Sequence, residues 1–407
     1  MQKLMPKRVE KTFQGSIGLN SRSLKVPAPQ KESRRQSQNI YHSQLVEDIK
    51  SENFSKQFGR YTIHLTRSLG FCYGVDRAVA LAYEACQKYP KKNIYLTTEI
   101  IHNPTVNQNF KDMGIRFLSG PHQSAEINDL TKDDVVIVPA FGTTIRDLNV
   151  LHNIGCTLID TICGSVMVVW KRIEKYARNG FTSVIHGKRD HEEIQATVSQ
   201  MTQHKNAHYL IIKDLNEAMT VCNYILRKKN KKMFIKKFKS CTSADFDPDK
   251  HLEKIGLANQ TTMLSKESLE IGELFKVCFK EKYGPKTYKN YLMTFDTICQ
   301  ATQERQDSIV ALKQKKPACI IVIGGYNSSN TTQLHKIASS CTQSYHINLV
   351  DCIINNKKIR HKPYNKKEEI MTSNWLPDGP VSIGITAGAS TPNKVIGDVI
   401  ERIISFR

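Results

Sequence analysis

The tetrapeptide Asp160-Thr161-Ile162-Cys163 returns letter for letter as Asp296-Thr297-Ile298-Cys299, and a third cysteine, Cys72, stands in a similar setting. Each of the three closes an apolar, strand-like stretch and opens a segment with helical spacing. Roughly 23 to 30 residues further on, each is followed by a second strand-like run and a polar loop rich in histidine or serine. One cysteine per repeat is a poor arrangement for a disulfide and a good one for three ligands converging from three copies of one unit. The separations, 91 and 136 residues, are unlike the close pairs of zinc fingers, so the repeated context carries the signal. Three thiolates without a fourth in matching context leave two centres: zinc with an open position, or an iron–sulfur cluster with one iron free for substrate. The other eight cysteines, among them Cys86 and Cys319, read as packing residues.

Around these cysteines lie residues able to move protons and hold anions. His102, in Glu99-Ile100-Ile101-His102-Asn103-Pro104, and His191, in a polar loop running from His186, can ligate, donate or carry a proton. Glu193, two residues after His191, is placed as a proton donor whose pKa rises if it is closed away from water. Asn259-Gln260-Thr261-Thr262 and Ser328-Ser329-Asn330-Thr331 offer dense hydroxyls and amides beside helix starts, a cradle for phosphate oxygens. Gly324-Gly325 before Ser328, and Gly388 before Ser390, permit close backbone approach.

The elements that must position these groups alternate. Short apolar strands are expected at Tyr61–Leu65, Ile94–Thr97, Val135–Pro139, Leu158–Thr161, Ser183–Ile185, Tyr209–Ile212, Ile255–Ala258, Leu292–Phe295, Cys319–Ile323 and Val381–Thr386, with helices between them. This pattern predicts α/β units with mostly parallel sheets, whose sites form at the carboxyl ends of the strands. The expected division is a basic polar extension over 1–60, largely disordered save a short helix near Ser43–Lys50, then units over 61–157, 158–290 and 291–407. The second unit carries a lysine-rich insertion near 227–250, expected as surface helix and loop.

Composition sets the outer limits. The chain of 407 residues is long enough for several cores, and no apolar run reaches the length of a membrane span. Met1–Arg8 lack the apolar stretch of a signal peptide, and eleven scattered cysteines point to a reducing compartment. A net charge of +21 invites a nucleic-acid reading, yet the positive residues cluster in Arg227–Lys239 and Lys357–Lys367 without an interleaved stacking platform. The basic surface is therefore read as solvated, or as attracting an acidic partner or anionic substrate. From residues alone, two other classes stand beside a redox enzyme: a zinc-dependent hydrolase of a phosphorylated small molecule, and a basic RNA-associated protein whose cysteines merely pack.

Taken together, Gly70-Phe71-Cys72-Tyr73-Gly74-Val75, Glu99 through Val106, His186 through Glu193, Asn259 through Met263, Phe295 through Asp307, Gly324 through Thr331 and Gly388 through Pro392 carry a family resemblance. From about Tyr41 onward the chain resembles the 4-hydroxy-3-methylbut-2-enyl diphosphate reductases, in their longer cyanobacterial and plastid branch. The resemblance implies three similar α/β domains in a pseudo-threefold trefoil around one [4Fe–4S] cluster held by Cys72, Cys163 and Cys299. It implies diphosphate and substrate contacts from His102, His191, Thr262, Ser328, Ser329, Asn330 and Ser390. Thr261 would stand near the substrate hydroxyl, and Glu193 would relay protons. The implied reaction is a two-electron reductive dehydroxylation giving isopentenyl and dimethylallyl diphosphates. Its electrons would come from ferredoxin or flavodoxin, in a monomer of the bacterial cytoplasm or, alternatively, the plastid stroma. Two positions depart from common family members: Phe141 stands where many have histidine, and Gly164 where proline usually follows the second ligand.

Overall fold

The computed structural model describes residues 28–227 and 230–406. Three sheets account for most of the strands. The first runs, edge to edge, through Arg116–Phe117, Ile94–Leu96, Val135–Val138 and Thr157–Asp160, all parallel. The second runs through Tyr209–Ile212, Thr182–His186, Ile255–Asn259 and Leu292–Met293, again all parallel. The third runs through Ser344–Ile347, Cys319–Ile323, Val381–Ala387 and Tyr61–Leu65, parallel throughout, with Ser55–Phe58 added antiparallel at its edge. A small hairpin, Lys358–His361 with Ile370–Ser373, stands apart.

Parallel strands buried on both faces read as continuous apolar runs, and Val135–Val138 and Cys319–Ile323 are buried at every residue. Tyr61–Leu65 alternates instead, with Tyr61, Ile63 and Leu65 inward. Every sheet has the same order: an outer strand, the strand that precedes it in sequence, a third strand, and then a closing strand.

The closing strands correct the expected division of the chain. Tyr61–Leu65, placed at the start of the first unit, pairs with Val381–Ala387 in the third sheet, Ile63 opposite Ile383. Thr157–Asp160 closes the first sheet and Leu292–Met293 the second, although the expected boundaries put residues 158–160 and 292–293 in the units that follow. Propensity identifies a strand but not its partner, and partner choice is decided by tertiary pairing. After each closing strand the chain crosses to the next sheet. Helix Tyr73–Lys88 buries Val75, Val79 and Ala82 against Leu96 and Ile137 of the first sheet. Helix Gly164–Arg178 packs Val169 and Ile173 on Ile185 and Ala258 of the second, and helix Gln300–Leu312 packs Ile309 and Leu312 on Ile320 and Val322 of the third.

Two further expectations change. Residues 31–60 are ordered rather than disordered: helices Lys31–Ile40 and Gln44–Ser51 precede the Ser55–Phe58 strand. Lys31–Ile40 buries only Ser33 and Ser37, so it is held by polar contacts such as Arg34 to Asp76 at 2.9 Å and Ser33 to Gln87 at 2.9 Å. A helix without an apolar stripe gives no periodic signal. The expectation for residues 1–27 lies outside the described residues. In the lysine-rich insertion, Lys231–Phe238 is a helix as expected, but Phe234 and Phe238 enter the core beside Tyr224 and Leu252. Among the described residues no helix is long and apolar enough to cross a membrane.

Candidate functional site

Cys72, Cys163 and Cys299 occupy one equivalent position, the residue just before the helix that crosses to the next sheet. Each is extended, with φ/ψ of −77/164, −68/137 and −76/148. Serine, threonine or aspartate at this place usually caps the helix; none of the three thiols makes a full capping hydrogen bond, although the N–H groups of Gly74 and Val75 favour the Cys72 thiolate and that of Thr302 the Cys299 thiolate. Their backbones are fixed in matching fashion. Cys72 N–H donates to Ala389 O at 3.1 Å, Cys163 N–H to Ala140 O at 2.8 Å and Cys299 N–H to Thr261 O at 3.1 Å. Each acceptor lies in a loop beyond the carboxyl end of a central strand. A thiolate at a helix N-terminus also gains from the positive end of the helix dipole.

Arginines tie the three approaches together. Arg77, on the Cys72 helix, donates to the carbonyls of Thr161 and Ile162, just before Cys163. Arg172, on the Cys163 helix, lies 3.4 Å from the ring centre of Phe295, just before Cys299. Arg305, on the Cys299 helix, is buried and donates to Gly70 O at 2.6 Å, just before Cys72. The thiols share one neighbourhood: a Cβ built on Gly74, two residues past Cys72, would stand 2.6 Å from Cys163 Sγ, and both Cys72 and Cys163 act electrostatically on Cys299. Burial raises the Cys72 thiol pKa despite Arg305, and takes Cys299 to about 11. Burial thus disfavours the thiolates of Cys72 and Cys299 on their own, and a metal shared with Cys163 would supply the charge to hold them ionised.

Beside this centre sits a buried carboxyl. Glu193 accepts the Thr261 N–H on one oxygen at 2.7 Å and the Thr261 hydroxyl on the other at 2.9 Å. Burial raises its pKa to about 7, although those hydrogen bonds and the His102 charge pull the other way. Thr261 therefore touches both the carboxyl and, through its carbonyl, the Cys299 backbone. Its neighbour Thr262 turns away and accepts from Gln260 Nε2 at 3.1 Å.

Two histidines follow, with ring centres 5.1 Å apart. His102 is fixed by Glu99, Nδ1 to Oε2 at 2.9 Å, and stacks on Phe141 at 4.9 Å and 11°. Its Nε2 lies 3.4 Å from Glu192 Oε2 without hydrogen-bond geometry. Burial opposes a charge on His102, but Glu192 and Glu99 outweigh it and take the pKa to about 9, so the ring is cationic at neutral pH. His191 is driven the opposite way, by burial and by the charge on His102. Its Nδ1 accepts the Glu193 N–H at 3.1 Å, which places the remaining proton on Nε2 of the neutral ring.

The serine-rich loops meet the same region. Ser328 caps helix Ser329–Cys341, accepting from Thr331 N. Asn330 accepts from Ala389 N at 3.0 Å and donates to Thr302, which is 3.1 Å from Cys299 Sγ. Ser390 donates to His102 O at 3.3 Å, and Gly325 lies so close to that carbonyl that a Cβ there would collide with it. Ser329 Oγ, Thr331 Oγ1 and His102 Nε2 are buried without a hydrogen-bond partner, which leaves polar atoms here able to meet an oxygen-rich guest. Cavities of about 550 Å³, lined by Lys188, His191 and Glu192, and about 240 Å³, lined by Glu99, His102 and Asn103, share Tyr326 and Asn327.

Nine of the twelve expected site residues thus join one connected set. Thr262 bonds within its own loop, Ser328 caps its own helix, and Ser329 Oγ is buried without a hydrogen-bond partner. Glu192, Phe141 and the three arginines were not anticipated as site residues. For Glu192 the only signal was its place between His191 and Glu193.

Parallel sheets with three cysteines at their crossings, beside a buried acid and an anion-ready cleft, define an α/β protein with a candidate metal centre. Residues 63–404 match the family model described as LytB protein, and the chain belongs to that family. The protein named 4-hydroxy-3-methylbut-2-enyl diphosphate reductase in Microcystis aeruginosa is 45% identical over 370 residues, 91% of this chain and 90% of that protein. Its namesake in Trichormus variabilis is 43% identical over 402 residues, 98% of each. The solved structure of the E-1-hydroxy-2-methyl-but-2-enyl-4-diphosphate reductase from Plasmodium falciparum shares the fold, with a TM-score of 0.60 at 21% identity over 83% of this chain and 86% of that one.

Proposed function

We propose that this chain reduces (E)-4-hydroxy-3-methylbut-2-enyl diphosphate to isopentenyl and dimethylallyl diphosphates. Relatives near 45% identity over nine-tenths of the chain bear that reductase name. The observation that carries the reading for this chain is Thr261, joined to the proton-bearing Glu193 on one side and to the backbone of Cys299 on the other.

Cys72, Cys163 and Cys299 would hold a [4Fe–4S] cluster, which when bound supplies electrons at an iron with no protein ligand. Replacing the hydroxyl by hydrogen takes up two electrons and two protons and releases one water. Glu193, with its pKa near 7, holds one of those protons at neutral pH, and delivery to the departing hydroxyl oxygen makes it water. The Thr261 hydroxyl orients the donor and, being able to accept as well as donate, can pass the proton on. Cationic His102, the Nε2–H of His191 and the amino end of helix Ser329–Cys341 answer the diphosphate charge. Buried walls around Glu193 exclude water that would compete for the proton.

The electron donor suits a basic protein if it is acidic, as ferredoxin and flavodoxin commonly are, and a monomer is the expected state. The bacterial cytoplasm is the preferred setting, with the plastid stroma as alternative. The test is anaerobic purification with iron, sulfide and zinc analysis, followed by turnover of the diphosphate. About four irons and four sulfides per chain with reductase activity are expected for such a cluster. Stoichiometric zinc without iron would instead favour a hydrolase, and Cys72→Ser, Cys163→Ser and Cys299→Ser should each lose the cluster.

A further inference from the structure

The two histidines of the cleft already have an anion between them. Glu192 Oε2 lies 3.4 Å from His102 Nε2 and 3.9 Å from His191 Nδ1. His102 thus has two carboxylate neighbours of different kinds. Glu99 is buried and hydrogen-bonded to Nδ1 at 2.9 Å, a fixed partner that holds the ring. Glu192 keeps 36% of its side chain exposed and meets Nε2 at ion-pair distance without hydrogen-bond geometry. Glu192 is thus the partly exposed, looser-bonded of the two carboxylates, the one a more highly charged anion can displace.

We propose that Glu192 is an internal stand-in for the substrate's diphosphate, occupying the His102–His191 cleft in the free protein and swinging out when the diphosphate enters. The proposal rests on the reading of that cleft as the diphosphate site. His102 Nε2, which has an ion-pair partner but no well-formed hydrogen bond, is the donor the ligand needs, and the Glu192 oxygen sits where a phosphate oxygen would be drawn to it. Both cannot remain, because like charges at such spacing repel strongly in a partly dry site. The side chain has somewhere to go: Glu192 stands in the first turn of helix Glu192–Gln200 and lines the larger cavity with Lys188, Arg189 and Lys213. His102 lines the smaller cavity, so the Glu192–His102 contact falls between the two spaces, and its release would open one toward the other.

A metal held by His102, His191 and Glu192 would be the other use of these groups. The His191 Nδ1 lone pair is already taken by the Glu193 N–H, and ligation through Nε2 would require a proton on Nδ1, against that hydrogen bond. The cluster therefore suits an exchangeable anion better than a cation.

The experiment titrates the anaerobically purified full chain with inorganic pyrophosphate by calorimetry, in wild type, Glu192→Gln and Glu192→Ala. Both variants should bind pyrophosphate about three- to tenfold more tightly than wild type, with the KM of the diphosphate substrate falling in step. Because Glu192 also helps to hold the charge on His102, the titrations are run below the ordinary histidine pKa of about 6.5, with Glu99 still beside the ring, and a packing role alone would not tighten binding. Equal or weaker binding in both variants would overturn the proposal. His102→Ala and His191→Ala separate the two levels of the argument. If neither weakens pyrophosphate binding by wild type, the diphosphate reading of the cleft fails and the stand-in role falls with it. If both do, and the Glu192 variants show no gain, only the stand-in role fails.

Discussion

Thr261 and Glu193 are joined twice, backbone N–H to one carboxyl oxygen and hydroxyl to the other, at 2.7 and 2.9 Å. Both bonds favour the ionised carboxylate, yet burial outweighs them and leaves the acid half-protonated near pH 7. A donor poised at the working pH, held by a hydroxyl able to reverse its role, is what protonation of a leaving hydroxyl requires.

Glu193→Gln should retain the cluster and lose turnover by roughly 100-fold or more, the usual worth of a positioned acid. The amide can reproduce both contacts to Thr261 but has no proton to give. Iron content and visible absorption equal to wild type, with activity gone, is the expected pair of readings.

The same group sets the pH response. Its pKa is higher in the folded protein than in the unfolded chain, so the folded state binds the proton more tightly. Stability from this group is full below pH 4.5 and declines as pH rises toward about 7, by ~3 kcal/mol in all. Catalysis by a protonated Glu193 should fall through the same upper value. Denaturant melts at pH 5 and pH 8 should therefore differ more for wild type than for Glu193→Gln, and equal differences would remove Glu193 as the cause.

Thr261→Val and Thr262→Val distinguish adjacent threonines. Loss of the Thr261 hydroxyl removes a bond that lowers the Glu193 pKa, so the alkaline limb of the rate profile should move upward. The rate should drop roughly ten- to a hundredfold, about 1.5–3 kcal/mol for a hydrogen bond to an ionisable group. Thr262→Val, whose hydroxyl meets only Gln260, should change activity little.

Two glycines near the ligands should respond oppositely. Gly74→Ala puts a methyl against Cys163 Sγ and should empty the metal centre, read as lost iron. Gly164 opens a helix, has free space where a Cβ would lie, and follows Cys163 in an extended conformation that proline accepts. Gly164→Pro should therefore raise stability by about 0.4–1 kcal/mol without loss of iron, measured by thermal melting.

Much of this was legible in the sequence because it depends on local pattern. The repeated Asp-Thr-Ile-Cys marks a strand end and a helix start, and the apolar runs mark strands. What local pattern lacks is the partner. Nothing within Tyr61–Leu65 says that it pairs with residues more than three hundred positions away, and nothing in Phe234 says that a lysine-rich helix will bury it. Glu192 was hidden for a related reason: beside an acid it reads as a solvated neighbour, and only the fold brings His102 to it.

The closing strand of the third sheet comes from the beginning of the chain, which turns a linear sequence of units into a loop without a first member. Arg77 steadies the approach to Cys163, Arg172 that to Cys299, and Arg305 that to Cys72, so the dependence also runs full circle. The first two sheets are each built from one contiguous stretch, but the third needs Tyr61–Leu65, and each cysteine approach needs an arginine from the helix that follows another cysteine. Binding competence at the centre should consequently appear all at once during folding, and a nascent chain would have no finished ligand set until Val381–Ala387 had emerged and closed on Tyr61–Leu65.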